Sequence, residues 1–162
     1  MEKIYGLLIL SMLYLGAFAQ EPTTGIAIIP EPVSTTVGKG HFNLPEHVSI
    51  WATRDSNMAE VITFLKEKLT VATGRQVTFG SGTRSTIRLL INHKIDTILG
   101  DEGYRLSVKP THIEIRANQP AGLFYGAQTL VQLFPKEIES PEPVYHIRWT
   151  APCVEILDYP RF

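Results

Sequence analysis

The run from Asn118 to Pro135, Asn-Gln-Pro-Ala-Gly-Leu-Phe-Tyr-Gly-Ala-Gln-Thr-Leu-Val-Gln-Leu-Phe-Pro, constrains the fold more than any other stretch of the chain. It has a start, an apolar face and a stop. Asn118 or Gln119 can cap the first turn, and Pro120 suits that turn because its missing N–H would have no helical partner there. Phe124, Ala127, Leu130, Val131 and Phe134 recur at helical spacing, and Pro135 ends the run. Gly122 and Gly126 are poor helix formers, each costing about 1 kcal/mol against alanine. With Ala127 they make sense where another element approaches the helix closely. The spacing therefore predicts a core helix rather than one that touches a ligand.

The chain around it has 162 residues and a formal net charge of −1. That is the length of one domain with a real core. Near-neutral charge and the lack of a basic run give nucleic-acid binding no electrostatic support. A hydrophobic content of 44% with 19% charged residues is that of a globular protein, not a disordered one.

Residues 1–19 read as a secretory signal. Lys3 gives a positive start, Ile4 to Leu15 is apolar, and Ala17-Phe18-Ala19 offers the small residues a signal peptidase reads. The apolar run is shorter than the roughly 20 residues of a membrane span. Export to the periplasm or the outside is the expectation, with a mature chain from Gln20. Cys153 is the single cysteine, so an exported chain would be held by packing rather than internal disulfides. Its apolar neighbours make it a buried structural thiol.

Short strands are predicted at Ile26–Ile29, Val33–Val37, His41–Leu44 and Val48–Ala52, with Gly38-Lys39-Gly40 as a turn and Trp51 largely inside. Asp55, Ser56 or Asn57 can cap a helix whose stripe is Val61, Ile62, Leu65, Leu69 and Ala72 and whose terminator is Gly74. Strands are expected again at 76–79 and 87–91. The loop between them, Gly80 to Ser85, lacks the lysine and helix start of a phosphate loop. Tyr104–Lys109 and His112–Arg116 alternate cleanly about Pro110-Thr111. They make a hairpin with Tyr104, Leu106, Val108, Ile113 and Ile115 on one covered face. Two helices and alternating strands give a two-layer α+β sandwich, a mostly antiparallel sheet with both helices on one face. This domain is read as residues 20–143. Residues 144–162, with possible strands at 144–149 and 154–157, read as a connection into a further domain, with bare apolar surface around Cys153 to Phe162.

Chemistry is sparse. Asp101-Glu102 is the only adjacent pair of carboxylates. Glycine-flanked turns are solvated, whereas a catalytic acid needs burial or a close like charge to raise its pKa. His41, His47, His93, His112 and His146 have no metal-site spacing and no cysteine partners. No serine sits in a Gly-x-Ser-x-Gly elbow. No metal site is expected.

Four blocks carry a resemblance: Ile29-Pro-Glu-Pro-Val33, Gly103-Tyr-Arg-Leu106, Ala121-Gly-Leu-Phe-Tyr-Gly-Ala-Gln-Thr-Leu130 and Asp158-Tyr-Pro-Arg-Phe162. Together, in this order, they resemble β-N-acetylhexosaminidases of glycoside hydrolase family 20. The first three are similar to the family's N-terminal non-catalytic domain, and the last to the approach to its catalytic (β/α)8 barrel. The resemblance implies hydrolysis of terminal N-acetylhexosamine from glycans with retention. There an aspartate orients the substrate's own 2-acetamido group as nucleophile and a neighbouring glutamate is the acid, an exception to the two-carboxylate scheme. It implies no metal or organic cofactor. The family's sugar-binding arginine and catalytic pair lie beyond the stretch matched, so no catalytic residue is carried onto this chain, Asp101 and Glu102 included. Arg161 falls where a role in supporting the barrel's first strand is implied. The expected partner is that barrel, which this chain does not contain, and through it the glycans. The alternatives are a stand-alone secreted carbohydrate- or protein-binding module, with Tyr104, Tyr125 or Tyr145 as its aromatic platform, or the N-terminal domain of a different glycosidase.

Overall fold

A computed structural model describes residues 25–53, 58–80, 82 and 84–161. The signal segment and the candidate caps Asp55, Ser56 and Asn57 lie outside the described residues. The elements are β1 (Ser34–Asn43), β2 (His47–Ala52), α1 (Ala59–Thr73), β3 (Gln76–Phe79), β4 (Ile87–Ile91), β5 (Tyr104–Val108), β6 (Ile113–Ala117), α2 (Pro120–Gln132), a 3-10 turn (Lys136–Glu139) and β7 (Thr150–Asp158). The seven strands form one sheet in the order β1-β7-β5-β6-β4-β2-β3, and both helices pack on one face.

The α+β class and the two covering helices are as the sequence predicts. Strand direction divides the sheet. β1 and β5 run against the other five strands, so β1-β7-β5-β6 is antiparallel and β6-β4-β2-β3 is parallel. The antiparallel half carries the longer ladders. The parallel half follows from connectivity: α1 returns the chain from β2 to β3 as a crossover helix, which a parallel pair requires.

Two strand boundaries differ from the sequence reading. Val33–Val37 and His41–Leu44 merge into the single strand β1, because Gly38-Lys39-Gly40 is a bulge opposite β7 rather than a turn. Gly40 takes a positive φ of 87° there. Residues 26–29 form no strand. The larger correction concerns residues 144–162. No strand forms at 144–149; Thr150–Asp158 is a nine-residue strand lying between β1 and β5, with Ala151, Cys153, Val154 and Ile156 buried. Its register, with Leu106 opposite Ile156 and Val108 opposite Val154, continues the hairpin's covered face. This strand completes the sheet, so the expected bare apolar surface at Cys153 is absent.

The core is a continuous layer beneath the helices: Val48, Ile50, Ile87, Leu89, Ile113, Ile115, Leu106, Val154 and Ile156 from the sheet, facing Val61, Leu65 and Leu69 of α1 and Leu123, Ala127 and Leu130 of α2. Each such aliphatic side chain stabilises by roughly 1.5–3 kcal/mol when fully buried. Trp51, expected largely inside, is half-buried on the opposite face, because Ile50 and Ala52 take the core side of the pleat. Gly74 ends α1 in the left-handed conformation at φ 65°, as its sequence position predicts.

α2 lies very close to the sheet. A Cβ on Gly122 would stand 2.3 Å from the Gly103 carbonyl oxygen, and one on Gly126 2.5 Å from Ile115 Cγ2. The element that approaches the helix is thus the β5–β6 hairpin. Gln119 holds the N-cap position with an extended backbone and no side-chain bond, and Pro120 follows at N1. Phe124 turns sideways and packs on Phe64 of α1 with ring centroids 5.1 Å apart, partly buried. Two outcomes are expected in chemical denaturation. Gly126→Ala should destabilise by about 1–3 kcal/mol through overpacking, despite the better helix propensity of alanine. Phe124→Ala should cost about 2 kcal/mol, below the value for a fully buried ring. A Gly126→Ala protein as stable as the parent would mean that the helix does not sit this low.

Candidate functional site

The residues of interest fall on three surfaces. The first is the turn before β5. Asp101 and Glu102 are both exposed, and Glu102 also lines a groove at the end of β7. The turn is held from inside by Asn118, which is buried beside the start of α2. Its side-chain oxygen accepts from the Asp96 N–H at 2.9 Å and from Asn92 Nδ2 at 3.0 Å, while its Nδ2 donates to the Asp96 and Gly100 carbonyls at 2.8 Å each. Asn118, read from sequence as a helix cap, is thus the organiser of the 92–100 loop. Its full set of partners offsets the cost of burying an amide.

The second surface is the sheet face without helices. Arg116 Nε donates to Glu114 at 2.7 Å, Arg88 stands 3.5 Å from the same carboxylate, and Arg105 forks onto Asp96 at 3.0–3.1 Å. The hydrogen bond from Arg105 and that from the Ile98 amide hold the Asp96 carboxyl below its ordinary pKa. On this face His112 is pushed below the usual imidazole range, first by burial and then by repulsion from Arg88 and Lys109, against the pull of Glu114. Arg88 and Glu114 face each other in the β4–β6 ladder, a cross-strand pair of opposite charge. The remaining histidines are exposed and scattered, and among the described residues no three His, Cys, Asp or Glu side chains could share a metal ion.

The third surface is concave, a groove of about 540 Å³ at the end of β7. The outer side of α2 forms one wall with Tyr125, Gln128 and Gln132. Ile29, Pro30 and Glu31 form the opposite rim, and Tyr159, Pro160 and Arg161 close the end. Gln132 pins the rim in place, accepting from the Ile29 N–H at 2.9 Å and donating to its carbonyl at 3.2 Å. The Arg161 guanidinium donates to the Glu31 carbonyl, and Asp158 Oδ1 accepts from the Val33 N–H at 3.2 Å. On the floor, the Tyr104 and Thr129 hydroxyls are hydrogen-bonded at 2.6 Å. Tyr104, opposite Asp158 in the ladder, has its phenol pKa pushed up to about 12, first by burial and further by the Asp158 carboxylate.

Alternation along the hairpin places Tyr104 correctly on the covered face but cannot bring it together with Thr129 and Asp158, which converge only when β7 joins the sheet. Of the three tyrosines considered as a sugar platform, Tyr104 is buried, Tyr125 lines the groove, and Tyr145 stands exposed outside it. Cys153 is a free, buried thiol, as expected. Arg161 ties the chain back onto the Glu31 rim.

Two measurements test these contacts. Tyr104→Phe should cost about 1–2 kcal/mol in urea melts, because Thr129 loses its partner in a buried position. For His112, the folded state disfavours the proton. Stability is therefore full above the ordinary imidazole pKa of 6.5 and is lost as pH falls from there towards the lower folded value. His112→Gln should flatten that part of a stability–pH curve, and an unchanged slope would exclude His112 as its source.

The fold recurs in known proteins. Residues 25–159 match the family model described as glycosyl hydrolase family 20, domain 2. The chain is 31% identical over 140 residues to a beta-hexosaminidase of Porphyromonas gingivalis, covering 85% of this chain and 18% of that protein. The fold is similar to that of a Streptomyces plicatus N-acetyl-beta-hexosaminidase structure, with TM-score 0.74 and 32% identity over 83% of this chain and 26% of that one. It is also similar to the beta-N-acetylhexosaminidase of Bacteroides fragilis, with TM-score 0.64 and 28% identity over 85% of this chain and 25% of that one. The chain thus spans about a fifth to a quarter of the relatives it matches.

Proposed function

The chain belongs to the glycosyl hydrolase family 20, domain 2, family, and from that premise we propose that it serves as the N-terminal supporting domain of an exported β-N-acetylhexosaminidase. One observation carries the reading. The family match takes in residues 25–159, nearly the whole described chain, and the structural match to the Streptomyces plicatus enzyme covers only 26% of that enzyme's chain. Most of such an enzyme is other polypeptide. In this reading a (β/α)8 barrel continuing the chain supplies the catalysis. The substrates are terminal N-acetylhexosamine residues of glycans, and hydrolysis proceeds with retention through the substrate's acetamido group. The domain's own part is to fold autonomously and hold the start of the barrel. The exposed turn of Asp101 and Glu102 supports this division of labour. A carboxyl that acts as acid for a leaving group is commonly sheltered from water, and both of these are exposed. Residues 1–19 direct export in the same reading.

The purified chain should release no chromophore from a nitrophenyl N-acetylglucosaminide above the buffer rate. Turnover that disappears with Glu102→Gln would overturn the supporting role. For export, N-terminal sequencing of protein recovered outside the cytoplasm should begin at Gln20, and an intact Met1 would contradict the signal reading.

A further inference from the structure

The sheet face opposite the helices carries two arginines side by side. We propose that Arg105 and Arg116 form a receptor for one anionic group of a glycan, a sulfate ester or a sugar carboxylate, with the Trp51 indole beneath a neighbouring sugar ring. That a glycan bears the anion rests on the hexosaminidase reading; the receptor itself is built from this chain's own strands.

Three observations carry it. The first is placement. Arg105 and Arg116 are direct partners in the β5–β6 ladder. Like charges at such a position destabilise a sheet unless something neutralises both. Leu157 stands opposite Arg105 in the β5–β7 ladder and Leu90 opposite Arg116 in the β4–β6 ladder, so apolar residues bound the two cations along that row. The second is donor capacity. Arg105 directs Nε and Nη2 at one oxygen of Asp96, at 3.1 and 3.0 Å. Arg116 directs Nε at Glu114 Oε1 at 2.7 Å, and Glu114 Oε2 lies 3.5 Å from Arg88, so this carboxylate is shared. Among the described residues, Nη1 of Arg105 and both Nη groups of Arg116 have no protein acceptor, and the two side chains are 45% and 47% exposed. Glu155, on the same face, is engaged by the Ser107 hydroxyl at 2.8 Å and lies 3.8 Å from Lys109. Planar guanidinium forks match the paired oxygens of a carboxylate or sulfate. The third is the aromatic neighbour. Trp51 is opposite Arg88 in the β2–β4 ladder and half-buried on this face. Arg116 lies two strands across and two residues along from it, about 12 Å at ordinary sheet spacings, a separation that two linked sugar rings span. The indole offers an apolar surface to one ring while the arginines take the anion on the next. A neutral glycan would meet the indole and leave the paired cations uncompensated.

The test is equilibrium binding to the purified chain at low salt, read by acrylamide quenching of tryptophan fluorescence. Trp149 is buried, so the quenching reports Trp51. The probes are a chondroitin sulfate hexasaccharide, which carries sulfate and carboxylate, a hyaluronan hexasaccharide, which carries carboxylate alone, neutral chitohexaose, and sodium sulfate. At least one acidic hexasaccharide should shield the indole, and chitohexaose at the same concentration should not. Added sodium chloride should weaken the binding, because these charges are exposed and screened. Arg105→Gln and Arg116→Gln should each weaken it about tenfold, the loss of one charge-assisted hydrogen bond. Lys66→Gln, at an exposed position of α1 on the other side of the sheet, should leave it unchanged. If Arg105→Gln unfolds the chain by stripping Asp96 of its partner, Arg116→Gln carries the comparison, since Glu114 keeps Arg88. Equal shielding by chitohexaose, equal affinity for a single-stranded oligonucleotide, or binding that the folded arginine variants retain would overturn the proposal. So would sodium sulfate binding where neither acidic hexasaccharide binds. None of these outcomes touches the supporting role, which fails only if the chain itself turns over the nitrophenyl glycoside.

Discussion

The structure depends on how low α2 can sit on the β5–β6 hairpin. With glycine at 122 and 126, the helix backbone reaches the Gly103 carbonyl and the Ile115 side chain without any Cβ between them. Leu123, Ala127 and Leu130 then become fully buried, and Thr129 comes within bonding distance of the Tyr104 hydroxyl. A helix raised by one methyl group would lose both. The low propensity of glycine is the cost of this approach, of order 1 kcal/mol per residue, and apolar burial along the whole helix exceeds it. The same placement turns Tyr125, Gln128 and Gln132 outward, where they form a wall of the groove.

Local patterns are legible in the sequence wherever they reflect a local cause. The hairpin declares itself by strict alternation, α1 by its stripe and Gly74, and α2 by Pro120, its apolar spacing and Pro135. Patterns with non-local causes mislead. Gly38-Lys39-Gly40 has turn chemistry, but the pairing of β1 with β7 on both sides of it makes it a bulge. β7 ends the matched region and reads as a tail, because the partners that bury it, β1 and β5, are distant in sequence. Asn118 reads as a cap, since nothing in the local sequence shows that a loop some twenty residues earlier folds over it.

The candidate site is less legible than the fold for the same reason. Each wall of the groove comes from a different part of the chain: the 29–31 rim, α2, and the end of β7. The blocks that resemble the hexosaminidase family, Ile29–Val33, Ala121–Leu130 and Asp158–Phe162, include the segments that meet there. The resemblance therefore marks the place, while hydrogen bonds across more than a hundred residues, such as Gln132 to Ile29, emerge only in the fold.

The position of β7 also bears on how the domain comes into being. β1 has its ladder with β7 alone, and β5 bonds β7 on its other side. Without β7, β1 lacks its ladder partner and one side of β5 is an open edge. The parallel half with its two helices can assemble early, but the sheet closes only when Asp158 is free to pair. A ten-residue strand must wait for the last nine-residue one, a closure of high contact order and hence slow. The sheet is thus complete only once β7 is paired on both sides, and the groove lined by the end of that strand takes its shape with it.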